Sequence, residues 1–113
     1  MYTKSEVREI ISELCSKMSR LFPQNRIEAI LFGSYARGDA DAESDIDVLL
    51  LVDASRQDIR ARNWQVGDVA AELLMNYGIM VSPIVENRSY FNANIAALPF
   101  YRNIDREGVR ISA

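Results

Sequence analysis

Residues 45–52 read D-I-D-V-L-L-L-V, an alternating start that turns wholly apolar. That pattern makes a strand with two carboxylates at its N-terminal end. Upstream, Ile27–Phe32 is a short apolar run ending at Gly33, which suits a second, buried strand. Between the two lie Gly33–Gly38, with two glycines and polar residues, and Asp39–Ser44, wholly polar apart from alanines. The first reads as a turn with at most one helical turn, the second as a loop.

The rest of the chain supplies helices. Thr3–Glu6 is a capping box, T-K-S-E, and behind it Val7, Ile10, Ile11, Leu14, Met18 and Leu21 recur at helical spacing up to Pro23. Asp53 or Ser55 can cap one further helix, lined by Ile59, Val66, Val69, Ala70, Leu73, Leu74 and Tyr77 and closed by Gly78. Ile79–Val85 is a third strand, placed at an edge or bulge by Pro83, which has no N–H for a ladder. Residues 89–97 have no clear period. A last helix starts near Leu98 and Pro99 and stops at Gly108, with a short strand over Val109–Ile111. Tyr90, Phe91, Phe100 and Tyr101 are expected to pack in the core rather than to stack on bases. The order helix, strand, strand, helix, strand, helix indicates an α/β or α+β domain, a small mixed sheet flanked by helices.

The 113 residues match one domain spanning 1–113, and 49% hydrophobic content can fill its core. A formal charge of −3 argues against a chain whose main task is to coat nucleic acid or an anionic membrane. The sequence contains no histidine, which removes Ser-His-Asp and Cys-His catalysis and His-ligated zinc. Cys15 stands alone, so it forms no internal disulfide and its expected role is packing. No apolar run approaches the ~18 residues of a membrane span, and MYTKSEVRE is not a signal peptide. A cytoplasmic location is therefore expected.

The chemistry concentrates between Gly33 and Asp47. Asp45 and Asp47 share one face of a strand, which sets their carboxylates about 5–7 Å apart and their repulsion at roughly 2–3 kcal/mol for an effective dielectric near 20. From Asp39 to Asp53 there are six acids and no Lys or Arg. A hard divalent cation such as Mg²⁺ would relieve that repulsion, because it takes carboxylate oxygens together with water and substrate phosphates. Taken alone, D-x-D is a common solvated strand end. The glycine turn adds to it: backbone N–H groups at Gly33 and the Ser34 hydroxyl suit a phosphate, and Arg37 offers a cationic fork. A phosphate cradle beside a carboxylate pair is what phosphoryl or nucleotidyl transfer requires.

The stretch G-S-Y-A-R-G-D-A-D-A-E-S-D-I-D resembles the motif of polymerase-beta-like minimal nucleotidyltransferases, G-S-x-A-R-G followed by S-D-I-D. The ending P-F-Y-R-N-I-D-R-E-G-V-R-I resembles that family's C-terminal helix and strand. The resemblance implies the polymerase-beta-like fold, an NTP (ATP foremost) held at Gly33 and Ser34, and Mg²⁺ ligated by Asp45 and Asp47 as the catalytic pair. Arg37 and Ser44 match motif positions. Arg37 either reaches phosphate or anchors the turn through acidic neighbours; Ser44 either contacts nucleotide or caps the strand entry.

The family's usual third acid follows a glycine and three residues on the next strand. The matching run here is G-I-M-V-S-P-I-V from Gly78, which puts Ser82 at that position. A neutral hydroxyl is a poor Mg²⁺ ligand and no general base near neutral pH. Ser82 is then a weak ligand, a spectator or the mark of lost activity. Glu86, at the same strand parity but about 13 Å farther along an ideal strand, is the other candidate ligand. A two-metal site lacking its third acid would hold one ion tightly.

Two functions follow from the resemblance. One is an Mg-dependent enzyme transferring a nucleotidyl group, AMP foremost, to a protein or small-molecule acceptor; the chain is too small and too acidic to hold a nucleic-acid template by itself. The other is a nucleotide-binding antitoxin or interaction module that neutralises a HEPN-type toxin partner with little or no turnover. Neither involves a membrane.

Overall fold

A computed structural model describes residues 2–111. Its elements run α1 (Lys4–Leu21), β1 (Glu28–Phe32), α2 (Ser34–Arg37), β2 (Ile46–Val52), α3 (Arg56–Ala61), α4 (Asn63–Tyr77), β3 (Val81–Asn87), α5 (Arg88–Asn94), α6 (Pro99–Glu107) and β4 (Val109–Ile111). The sheet order is β3-β2-β1-β4. β1 pairs antiparallel with both β2 and β4, while β2 and β3 run parallel, so the sheet is mixed.

Helices cover both faces of this sheet, and that is why β2 is apolar at every position after Asp47. On one face Ala29, Leu31, Ile46, Val48, Leu50, Val52 and Val81 pack against Val7, Ile10, Ile11, Leu14 and Met18 of α1 and Val66 and Leu73 of α4. On the other, Ile30, Leu49 and Leu51 pack against Phe91 of α5 and Ile104 of α6. The capping box forms as expected: Thr3 accepts from the Glu6 N–H at 3.1 Å and the Glu6 carboxylate accepts from the Thr3 N–H at 2.9 Å. Cys15 is buried in the first of these cores. Pro83 lies on the edge strand β3, where a missing N–H costs no sheet bond on its outer side.

Three expectations, on the second helix, Leu74 and Phe100, need correction, and the segment without a clear period gains a structure. The single helix from Ser55 to Gly78 is two, α3 and α4, broken at Arg62, whose φ of −104° and ψ of 9° leave the helical region. Leu74 is exposed and does not join the buried stripe. Residues 88–94 form a helix, α5, which Asn87 caps by accepting from the Tyr90 N–H at 2.9 Å. Phe91 is fully buried as expected, but Phe100 is 48% exposed. No helix of the described residues is long and apolar enough to cross a membrane.

Candidate functional site

Three strand ends meet at one edge of the sheet. β1 runs toward it and β2 and β3 run away from it, so Asp47 has Phe32 as register partner on one side and Ser82 on the other. Adjacent strands are about 4.8 Å apart and register partners share a face. Alternation along β2 puts Asp47 on the side of Leu49 and Leu51, the face covered by α5 and α6. Asp45 stands exposed just before the strand.

Gly33 joins β1 to α2 with φ 75° and ψ −156°, a conformation essentially restricted to glycine. A Cβ built there would lie 2.4 Å from Asp47 Oδ2, so the carboxylate occupies the space that any side chain at 33 would need. Gly33 O accepts from the N–H groups of Ala36 (3.1 Å) and Arg37 (3.0 Å), closing one turn of helix. The first N–H groups of such a turn, those of Ser34 and Tyr35, point outward from its start. A turn with outward donors thus abuts the Asp47 carboxylate directly.

The opposite wall comes from α6. Phe32, Gly33, Ser34, Arg37 and Asp47 line a cleft of about 400 Å³ together with Phe100, Asn103, Ile104 and Glu107. The α6 residues lie more than fifty positions from Asp47 in sequence and were not among the expected site residues. The pairing of β4 with β1 brings them in, since Val109 opposite Leu31 delivers the C-terminal end of α6 to the start of α2. Arg37 bridges the two walls: its Nε is 3.3 Å from Asp39 Oδ2 and its Nη1 is 3.8 Å from Glu107 Oε2. Both contacts are with acidic neighbours of the turn.

Burial pushes the Asp47 carboxyl above the ordinary aspartate range, the nearby Asp45 charge pushes the same way, and Arg37 opposes both. Asp45 itself lies just before β2, which begins at Ile46, and Arg37, lying outside the acidic run, opposes its effect on Asp47. The oxygen donors and the half-buried, electrostatically disfavoured Asp47 fit a hard divalent cation, which would remove that penalty and complete its shell from phosphate and water. Asp45 and Asp47 would be its protein ligands. Among the described residues no group of three or more His, Cys, Asp or Glu side chains gathers as a ready-made metal cage.

Other expected site residues are placed differently. Ser82 stands beside Asp47, at the position the sequence comparison assigned to a third acid. Glu86 does not reach the site: it is opposite Leu51, four residues farther along the strand and about 13 Å away at strand rise. Its carboxylate is 6% exposed and accepts from the Tyr101 hydroxyl, Arg56 Nε (3.2 Å) and the Asn87 N–H (2.7 Å). A carboxylate so fully engaged ties α3 and α6 to the sheet; burial, and after it the hydrogen bond to this carboxylate, push the Tyr101 hydroxyl's pKa up. Ser44 is absent from the cleft lining and closes the preceding loop instead, its Oγ accepting from the Asp41 N–H at 2.9 Å.

Comparison with known proteins points the same way as this geometry. Residues 7–98 match the family described as the nucleotidyltransferase domain. The chain is 38% identical over 109 residues to "Putative protein adenylyltransferase MJ0604" of Methanocaldococcus jannaschii, covering 96% of each chain. It is 37% identical over 84 residues to "Putative protein adenylyltransferase MJ0141" of the same organism, covering 74% of this chain and 83% of that one. A solved structure described as "Crystal structure of the toxin-antitoxin with AMP-PNP" superimposes with a TM-score of 0.56 over 94% of this chain and 73% of that one. At 17% identity that likeness concerns the fold.

Proposed function

The chain belongs to the nucleotidyltransferase-domain family, and from that premise we propose that it binds Mg-ATP in the Gly33–Asp47 cleft and transfers AMP to a hydroxyl of a protein or small-molecule acceptor. The observation that carries this reading is the contact between Gly33 and Asp47, where a Cβ would come within 2.4 Å of the carboxylate. A phosphate held by the turn N–H groups is thereby set against the carboxylate pair. The relatives named protein adenylyltransferases support AMP as the transferred group.

Gly33 and Ser34 hold the β- and γ-phosphates, and Arg37 turns from Asp39 and Glu107 toward them. Asp45 and Asp47 would hold Mg²⁺, which would supply charge neutralisation for the phosphates. The acceptor oxygen forms a bond to the α-phosphorus as the bond to the bridging oxygen breaks. Pyrophosphate leaves, and the acceptor's proton passes to water because Ser82 cannot take it. The test is a transfer assay with ATP labelled at the α- or the γ-phosphate, using cell-extract proteins as acceptors. Mg-dependent transfer of the α-label alone, lost in Asp47→Asn, supports the reading; transfer of the γ-label contradicts it.

A second reading rests on Ser82. Without a third carboxylate the protein would bind nucleotide and act through a partner, as an antitoxin toward a HEPN-type toxin, with little turnover. ATP binding with no label transferred favours this reading. Ser82→Asp separates the two, because general base catalysis is worth about 10²-fold or more. If the missing acid limits turnover, Ser82→Asp raises α-label transfer by about that factor. An unchanged rate with ATP still bound removes Ser82 as the explanation.

A further inference from the structure

The cleft has a direction. Phe100, Asn103 and Glu107 stand at i, i+3 and i+7 on α6, which is one face of a helix. The Glu107 end lies beside the phosphate turn because Val109, two residues on, pairs with Leu31 of β1, and Glu107 shares the cleft lining with Gly33, Ser34 and Arg37. At the helical rise of 1.5 Å per residue, Phe100 lies about 10 Å up the axis from Glu107. One end of the cleft is therefore an N–H-rich, cationic turn and the other an aromatic ring, with Asp47 in the same lining.

Phe100 is unusual among the aromatics of this face. Phe91 is fully buried, whereas Phe100 is 48% exposed. It meets Phe32 edge to face, with centroids 5.7 Å apart and planes at 86°, and it is tilted on Tyr101 at 6.1 Å. Phe32 is the register partner of Asp47, and Phe100 and Asp47 line the same cleft, so the half-exposed ring is on the Asp47 side of the sheet. Next to it, the Oδ1 of Asn103 accepts from Arg106 Nη2 at 3.1 Å, which orients the amide and leaves its N–H₂ as a donor. An exposed, laterally braced ring with an oriented amide matches a flat base attached to a sugar, and aromatic stacking of that kind accepts any base.

We propose that α6 is the nucleoside-binding wall of the cleft, with Phe100 as the platform for the base and Asn103 as a donor to the base or ribose. This inference rests on the nucleotide reading above. It is tested by calorimetric titration of the protein with Mg-ATP and with Mg-tripolyphosphate, which carries the phosphates without the nucleoside. Phe100→Ala should weaken Mg-ATP about tenfold or more, as expected for loss of one stacked base, and leave the affinity for tripolyphosphate unchanged. Phe100→Tyr should keep the wild-type affinity for ATP, and Asn103→Ala should also weaken ATP alone. Because Phe100 is half-exposed, the variants are expected to fold, which circular dichroism checks. Equal losses for both ligands, or undiminished ATP binding in Phe100→Ala, would overturn the proposal. Wild-type protein that binds tripolyphosphate as tightly as ATP overturns the α6 assignment while leaving the phosphate turn standing. Wild-type protein that binds neither overturns the nucleotide reading, and the α6 assignment with it.

Discussion

Gly33→Ala is expected to weaken Mg-ATP binding by about 100-fold and to destabilise the fold. Two costs act together. The φ of 75° with ψ of −156° is closed to L side chains and costs about 1–3 kcal/mol when forced. The new methyl group would also stand 2.4 Å from Asp47 Oδ2, so the carboxylate or the turn must move. Either movement separates the phosphate donors from the carboxylate pair, and a displacement of about 1 Å at a positioned group can cost 10²-fold. Titration with Mg-ATP and a denaturant melt measure both effects. A double variant sorts them: in an Asp47→Ala background the steric part disappears and only the backbone cost should remain. Wild-type ATP affinity in Gly33→Ala would mean that the turn does not hold phosphate.

Asp47→Asn should separate stability from binding. Burial and Asp45 raise the Asp47 pKa in the folded protein. A raised carboxyl pKa means that the folded state prefers the protonated form. Stability from this group is thus fully present below the unfolded value near 3.8 and is lost as pH rises through the higher folded value. At neutral pH the charged Asp47 is a liability, and the neutral amide removes it. The substitution is therefore expected to raise Tm at neutral pH. The gain should shrink toward zero below about pH 4, where Asp47 is protonated in both states. Mg-dependent ATP affinity should meanwhile fall by about 100-fold or more, because one of two anionic ligands is lost. A melting series from pH 3 to pH 7 and a parallel titration test the pair of effects. A variant that is less stable at pH 7, or that binds Mg-ATP normally, contradicts the assignment.

The elements that carry the candidate chemistry were readable because each has a local signal. Gly33 ends an apolar run, D-I-D opens the next, Thr3 and Glu6 form a capping box, and Pro83 marks an edge. What escaped was long-range or unsignalled. The break at Arg62 has no Gly or Pro near it, and Ile59, Val66 and Leu73 keep helical spacing across it. The α6 wall depends on Val109 pairing with Leu31, a contact between chain ends that no local pattern encodes. Phe100 reads as a core residue along with Phe91, yet it is 48% exposed, because which face of α6 is covered depends on how that helix docks on the sheet. The distance of Glu86 along the strand was readable from its spacing; what was not is that Arg56, Tyr101 and the Asn87 N–H occupy its carboxylate.

The central claim is that Asp45, Asp47 and the Gly33 turn form one metal-dependent nucleotide site. Its most direct test is calorimetric titration of metal-free protein with ATP, with and without Mg²⁺, alongside GTP, CTP and UTP. The account predicts saturable binding of ATP at one site per chain when Mg²⁺ is present, and little or none when it is absent. Equal ATP affinity without Mg²⁺, or no nucleotide bound under either condition, would contradict it.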